Sequence, residues 1–364
     1  MKKYSIWLLF ALTALLSTQC RTTQLRSTPV GRIINEGFIT CFEAGLAEGK
    51  TWCEASAVLA QGERLYLAND KDMPAPRSSV FYVRWPKGDT TRTGLDPSSP
   101  IYLDQPVLRT AHKFEEFTQS PNQKWTFLTT AFDRVKPGST DFDGYNMLLA
   151  WHPGQEGDVR IVGTAKGGVA SLELRKQIQQ TLGGSPYFKI EGLAATNTHL
   201  WFGVREQGEH YEKFDYRITL LKAKYRSAEG PGGGRGVMID KPVFVRNFEV
   251  GDVDAALPKP LAISSIEYDP YRECFWILTS FEQGTTIGAY IWVISEKAMQ
   301  TNGDLQLVRT QDGKPLTFTH KAEDMTFTDR NTLFIIHDDD RVRTRIGQRE
   351  RQPNQAAYSV VKVN

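Results

Sequence analysis

A motif of strand, polar turn and second strand recurs five times along this chain, and no other feature narrows its folding choices as much. It is clearest from Lys189 to Glu206, KIEGLAATNTHLWFGVRE, where an acid opens a short apolar strand and a second strand begins nine residues later. Glu191 leads to Leu200 by that spacing, Ser56 to Leu65, Glu116 to Trp125, Ser265 to Cys274, and Glu323 to Thr332. Successive leaders stand about 60 to 75 residues apart, the length of one sheet of short strands in a ring of repeats. The expected fold is all-β: a five-bladed β-propeller, with six blades as the alternative count.

Turn residues divide each repeat further. Gly62, the Pro74–Ser78 stretch and the Pro86–Pro100 stretch punctuate the first blade, and Asp269-Pro270 marks a sharp turn in the fourth. The fifth repeat offers only three strands, whereas Gly31–Phe42 reads as a strand with no leader of its own. Pairing that early strand with the last one closes the ring and hides two sheet edges. One segment breaks the pattern. Ala170–Leu182 carries Leu174, Ile178 and Leu182 at helical spacing and stops at Gly183-Gly184, so an inserted helix is expected, either filling a gap between blades or acting as a lid. The glycine-rich segment at 230–236 lacks the Lys-Ser/Thr ending of a phosphate loop and reads as a hairpin tip.

The first twenty residues, MKKYSIWLLFALTALLSTQC, have the basic start and short apolar core of a bacterial export signal, and the run is too short to favour a spanning helix. Ending at Cys20, it is similar to a lipoprotein signal, so a lipid at that cysteine is the one expected membrane attachment. The expected location is therefore the periplasm or outer membrane, or outside the cell. Residues 21–31 read as a tether and 32–364 as one domain. Outside the cytoplasm Cys41 and Cys53 can pair across a short loop, or stay as two thiols; Cys274 reads as a buried apolar side chain. At 40% hydrophobic and 24% charged residues with a net charge of +2, nothing global calls for nucleic acid or a charged membrane.

The innermost strand of a propeller blade lines the central channel. Ser56, Glu116, Glu191, Ser265 and Glu323, one per blade at one register, should then ring the axis. Three carboxylates gathered there repel one another unless a cation joins them, and an all-oxygen donor set suits a hard ion such as Ca²⁺. A water-filled channel with solvated acids is the plainer alternative. This Ser, Glu, Glu, Ser, Glu series, with Phe114-Glu115-Glu116-Phe117, Ile190-Glu191-Gly192-Leu193 and Ala322-Glu323-Asp324-Met325 around it, resembles the axial calcium site of the calcium-activated nucleotidase (apyrase) family. The chain also resembles uncharacterised bacterial phytase-like exported propellers. These resemblances imply a five-bladed ring, axial calcium and phosphate chemistry. The nucleotidases carry Asp-Asp-Arg in a turn needed for activity, and this chain has Asn69-Asp70-Lys71 at that place.

Second strands return to the leader face, so their ends and the long loops beyond them should surround the same mouth. Asp70, Arg205 and Asp338 are the candidate catalytic residues, the first or last orienting a nucleophile. Lys71, Asp133, Glu206, Glu282, His337, Arg341 and Arg343 are candidate ligand contacts, and the Arg341–Arg351 loop could grip phosphates in bidentate fashion or be a solvated basic loop. Asp141-Phe142-Asp143-Gly144 resembles a fragment of a calcium loop without its distal glutamate. The chain lacks GxSxG and HExxH strings. Two functions are therefore carried forward: a Ca²⁺-dependent phosphohydrolase acting on a small phosphorylated ligand, or a non-catalytic module binding a protein, glycan or small ligand beside a structural ion.

Overall fold

The alternating apolar pattern of each repeat folds into four or five antiparallel strands, and five such sheets close around one axis. The computed structural model describes residues 28–364, apart from 86–98, 165–167, 230–234, 252, 255–256 and 285. The proposed export signal and most of the tether lie outside the described residues, as does most of the glycine-rich tip. Blade one is Ala55–Gln61, Arg64–Asn69, Val80–Arg84 and Ile101–Tyr102, and blade two is Phe114–Gln119, Thr126–Thr130, Leu148–Trp151 and Arg160–Val162. In blade three Tyr187–Ala195 pairs with His199–His210, which pairs with Lys213–Glu229, and both Arg235–Ile239 and Val243–Asn247 line up on that long third strand. Blade four, Ala262–Asp269, Cys274–Gln283 and Thr286–Ser295, is likewise edged by two short strands.

Blade five joins the two ends of the chain. Its sheet runs from Ala322–Asp329 through Thr332–His337 to Gln355–Val363, and its outer strand is Gly31–Thr40, antiparallel to the last from Gly31 opposite Val363 to Thr40 opposite Gln355. The expected closure by the early strand is thus observed. Cys41, one residue past that strand, is disulfide-bonded to Cys53, two residues before the inner strand of blade one, with 6.0 Å between the Cα atoms. The bond therefore ties blade five to blade one. Cys274 is a buried free thiol.

Apolar side chains from facing sheets form a separate core at each of the five blade junctions. Between blades two and three, Phe127 and Leu148 meet Phe188, Leu193 and Phe202; between four and five, Trp276 and Ile291 meet Met325, Ile335 and Val361. The inserted helix, Leu172–Thr181, adds Leu174, Ile178 and Leu182 to the first of these cores. It packs into a junction between blades, the first of the two roles expected of it. Two five-residue helices, Pro106–Thr110 and Glu296–Gln300, were not foreseen from the sequence.

Candidate functional site

Each inner strand carries a one-residue bulge near its start, and the bulges set the register of the axis. The unpaired residues are Ser56, Glu115, Glu191, Ser264 and Glu323. For blades two and four this corrects the sequence register, which placed Glu116 and Ser265 at the equivalent position. The hairpin turns of those blades are longer, so a fixed nine-residue count lands one residue past the bulge. A bulge re-aims a side chain, and here it separates the axial side chains into two layers.

The deeper layer contains Glu116, Ser265 and Asp324, all shielded from solvent. Glu116 Oε1 accepts from the Ile266 amide (2.8 Å) and the Ser265 hydroxyl (2.7 Å), while Oε2 accepts from the Leu193 amide. Asp324 Oδ2 accepts from the amides of Val58 (2.7 Å) and Phe117 (3.3 Å), and its Oδ1 stands 2.9 Å from the same Ser265 hydroxyl. Blade two thus reaches blades three and four, and blade five reaches blades one and two. The two carboxylates act as hubs for backbone donors. Burial, then the mutual repulsion with Asp324, pushes the Glu116 carboxyl well above its ordinary range; burial pushes Asp324 up to about 8.

The shallower layer is a belt of ion pairs at the channel mouth. Two residues before the bulge stand Glu54, Lys113, Lys189, Ala262 and Lys321, so three blades present a lysine at one position. Lys189 Nζ lies 3.3 Å from Glu115 and also contacts Glu191. Arg205, 3% exposed, approaches Glu191 at 3.1 Å and donates to the Ile263 carbonyl and to Ser264 and Ser280 at 2.9 to 3.1 Å. Lys321 bridges Glu282 (3.0 Å) and Glu323 (2.9 Å). Burial opposes the charge of Glu191, yet Arg205, Lys189 and Lys321 outweigh it and hold that carboxyl below its usual value. Burial pushes Glu115 and Glu323 up instead.

This arrangement does not fit a calcium ion on the leader ring. Ser56 spends its hydroxyl on the Phe114 carbonyl (2.6 Å), the Glu116 oxygens are taken by N–H and O–H donors, and Glu191 and Glu323 face three cations that would repel a fourth. Among the described residues, three acids, Glu54, Asp338 and Asp340, bring one ligand atom each within 4.8 Å of one another, beside Lys71 and Arg341. Burial pushes the Asp338 carboxyl well up; Lys321 opposes this, and the nearby Glu323, Asp340 and Glu54 reinforce it.

The remaining candidates are scattered around the mouth in paired clusters. Lys71 joins Asp70 (2.7 Å) and Glu54 (3.0 Å), and Asp133 holds Lys113 and Arg134, each at 2.8 Å. Glu206 accepts from the Tyr187 hydroxyl. His337 is fully buried against Ser359 (2.8 Å), and burial with the neighbouring His320 pushes its pKa down to about 3, which makes it a neutral structural residue. The arginine loop does not converge into a phosphate grip. Arg343 and Arg345 share Glu350, Arg349 covers the Phe38 ring, and Arg351 is buried over Trp52, donating to the Val342 carbonyl at 3.1 Å.

The sequence reading missed a cleft of about 710 Å³ beside the mouth, between blades two and three. Its walls include the rings of Phe142, Tyr187, Tyr211 and Phe214, together with Asp133, Arg134, Glu206 and His210. Arg175 of the inserted helix also lines it. A smaller cavity of about 160 Å³, bounded by Asp70, Lys71 and His112, adjoins it across Lys113 and Arg134. The one signal that could have pointed here is Arg175 itself, a cation next to Leu174 at the edge of the apolar stripe.

The chain matches no family model and no curated protein. Among solved structures it is similar to a GH62 hydrolase in complex with xylotriose (10% identity, TM-score 0.45, covering 92% of this chain and 97% of that one). It is also similar to an α-L-arabinofuranosidase from Podospora anserina in complex with cellotriose (11% identity, TM-score 0.43, 93% and 96%). A PQQ-bound aldose sugar dehydrogenase from Streptomyces coelicolor overlaps at 12% identity and TM-score 0.37, over 92% and 98%. Similarity at this level says nothing about ligand or reaction.

Proposed function

We propose that this protein is an exported propeller that binds an oligosaccharide in the cleft between its second and third blades. The cleft itself carries the reading: aromatic rings in a concave wall, bounded by carboxylate and guanidinium groups, match a ligand with apolar ring faces and hydroxyl edges. Tyr187 and Phe214 stand 5.7 Å apart, forming a tilted pair of ring surfaces rather than an enclosed slot. Export is supported by the basic and apolar start of the chain and by the Cys41–Cys53 disulfide, which persists in oxidising surroundings. A lipid on Cys20 would hold the propeller at a membrane.

The binding reading is preferred to phosphate hydrolysis because the cations expected to hold phosphates already have partners. Titration of the chain with oligosaccharides of two to six residues tests it. Tyr187→Ala and Phe214→Ala should each weaken binding roughly fivefold, the equivalent of about 1 kcal/mol per ring contact; unchanged affinity in both variants overturns the assignment.

A further inference from the structure

Arg175 is the charged group that the cleft leaves without a counter-ion. Its side chain is 4% exposed, its Nε has no hydrogen-bond partner, and its one hydrogen bond, from Nη2 to the Pro186 carbonyl, is 3.4 Å long. No carboxylate among the described residues lies within ion-pairing distance, and the guanidinium rests on the face of Phe188 at 4.9 Å. The other charges of the cleft are engaged: Lys113 and Arg134 both pair with Asp133, Glu206 is bonded to Tyr187, and Glu209 pairs with Lys213 at 2.7 Å. A buried cation left unpaired is costly, and burial accordingly draws its pKa down to about 10. The fold nevertheless places it there, on a helix whose neighbouring leucine and isoleucine anchor it in the core.

Resting on the cleft reading above, we infer that Arg175 is a carboxylate subsite and that the ligand is an acidic oligosaccharide bearing a uronate. A guanidinium offers two parallel donors that match a carboxylate. One negative charge neutralises Arg175; a phosphate dianion would add a second charge close to Asp133. The aromatic wall at Tyr187 and Phe214 supplies the ring contacts, and Arg175 sets which ring is accepted.

The test is calorimetric titration of the mature chain with trigalacturonate and with neutral galactotriose. Trigalacturonate should bind at least tenfold more tightly. Arg175→Gln should remove that preference by lowering trigalacturonate affinity about tenfold while galactotriose affinity falls far less, and Arg175→Lys should retain part of it; thermal melting of each variant confirms folding. Equal affinity for the two ligands in the unaltered protein, or an undiminished preference in Arg175→Gln, overturns the subsite. In that case weaker binding of both ligands by Tyr187→Ala would keep the cleft reading standing, whereas no binding of either ligand to the unaltered protein sinks both. Inorganic phosphate that displaces trigalacturonate at equal concentration would overturn the choice of carboxylate.

Discussion

The Ser265 hydroxyl has one hydrogen, yet it lies within bonding distance of two carboxyl groups, Glu116 at 2.7 Å and Asp324 at 2.9 Å. It can donate to one of them only. The contact to the other is satisfied when that carboxyl keeps a proton and donates to Ser265, in accord with the upward displacement of both groups. The sign of the pH dependence follows. A carboxyl whose folded pKa is raised binds protons more readily than in the unfolded chain, so its stabilising contribution is complete below about pH 4 and is lost as pH rises through about 8. Melting temperature should therefore fall between pH 6.5 and pH 9, and Asp324→Asn should flatten that slope by on the order of 1 kcal/mol over the interval. A wild-type and variant pair with parallel profiles would refute the retained proton. None of this was legible in the sequence, because Asp324 sits one residue after an expected ligand and its partners Val58, Phe117 and Ser265 come from three other strands.

Elements were easier to foresee than their fine register. Inner strands announced themselves through one hydroxyl or acid before an apolar run, and the early strand found its partner because the last repeat lacked one. Register failed in blades two and four because turn length varies while the bulge position does not. The cleft was missed for a different reason: Asp133, Arg175, Tyr187 and Phe214 belong to separate segments brought together only by the junction of two blades. The link between elements that was foreseen, Cys41 to Cys53, has a measurable weight. Closing a short loop between the edge of blade five and the core of blade one should contribute about 2 to 4 kcal/mol. Reduction, or Cys53→Ser, should lower the melting temperature by roughly 5 °C or more; an unchanged melting temperature would show that strand pairing alone holds this junction.

For the whole molecule, the balance of charge at the axis decides between an internally neutralised ring and an ion-dependent one. Lys189, Arg205 and Lys321 stand among Glu115, Glu191, Glu282 and Glu323, so the ring needs no external cation to relieve repulsion. Melting with EGTA and with added Ca²⁺ should give the same transition, since an ion bound only by the folded state must raise it. A rise with Ca²⁺ would direct attention to Glu54, Asp338 and Asp340. Phosphate release from nucleotides or phytate, with Ca²⁺ present, should not exceed that of a Glu191→Ala control; release above it would restore the phosphohydrolase reading.

The pairing of Gly31–Thr40 with Gln355–Val363 has a bearing on biosynthesis. Blade five cannot be assembled until residues 355–363 have left the ribosome, and until then its neighbours on both sides lack a finished packing surface. A polypeptide built this way stays an open arc throughout its synthesis and locks into its circular form only when its final strand arrives.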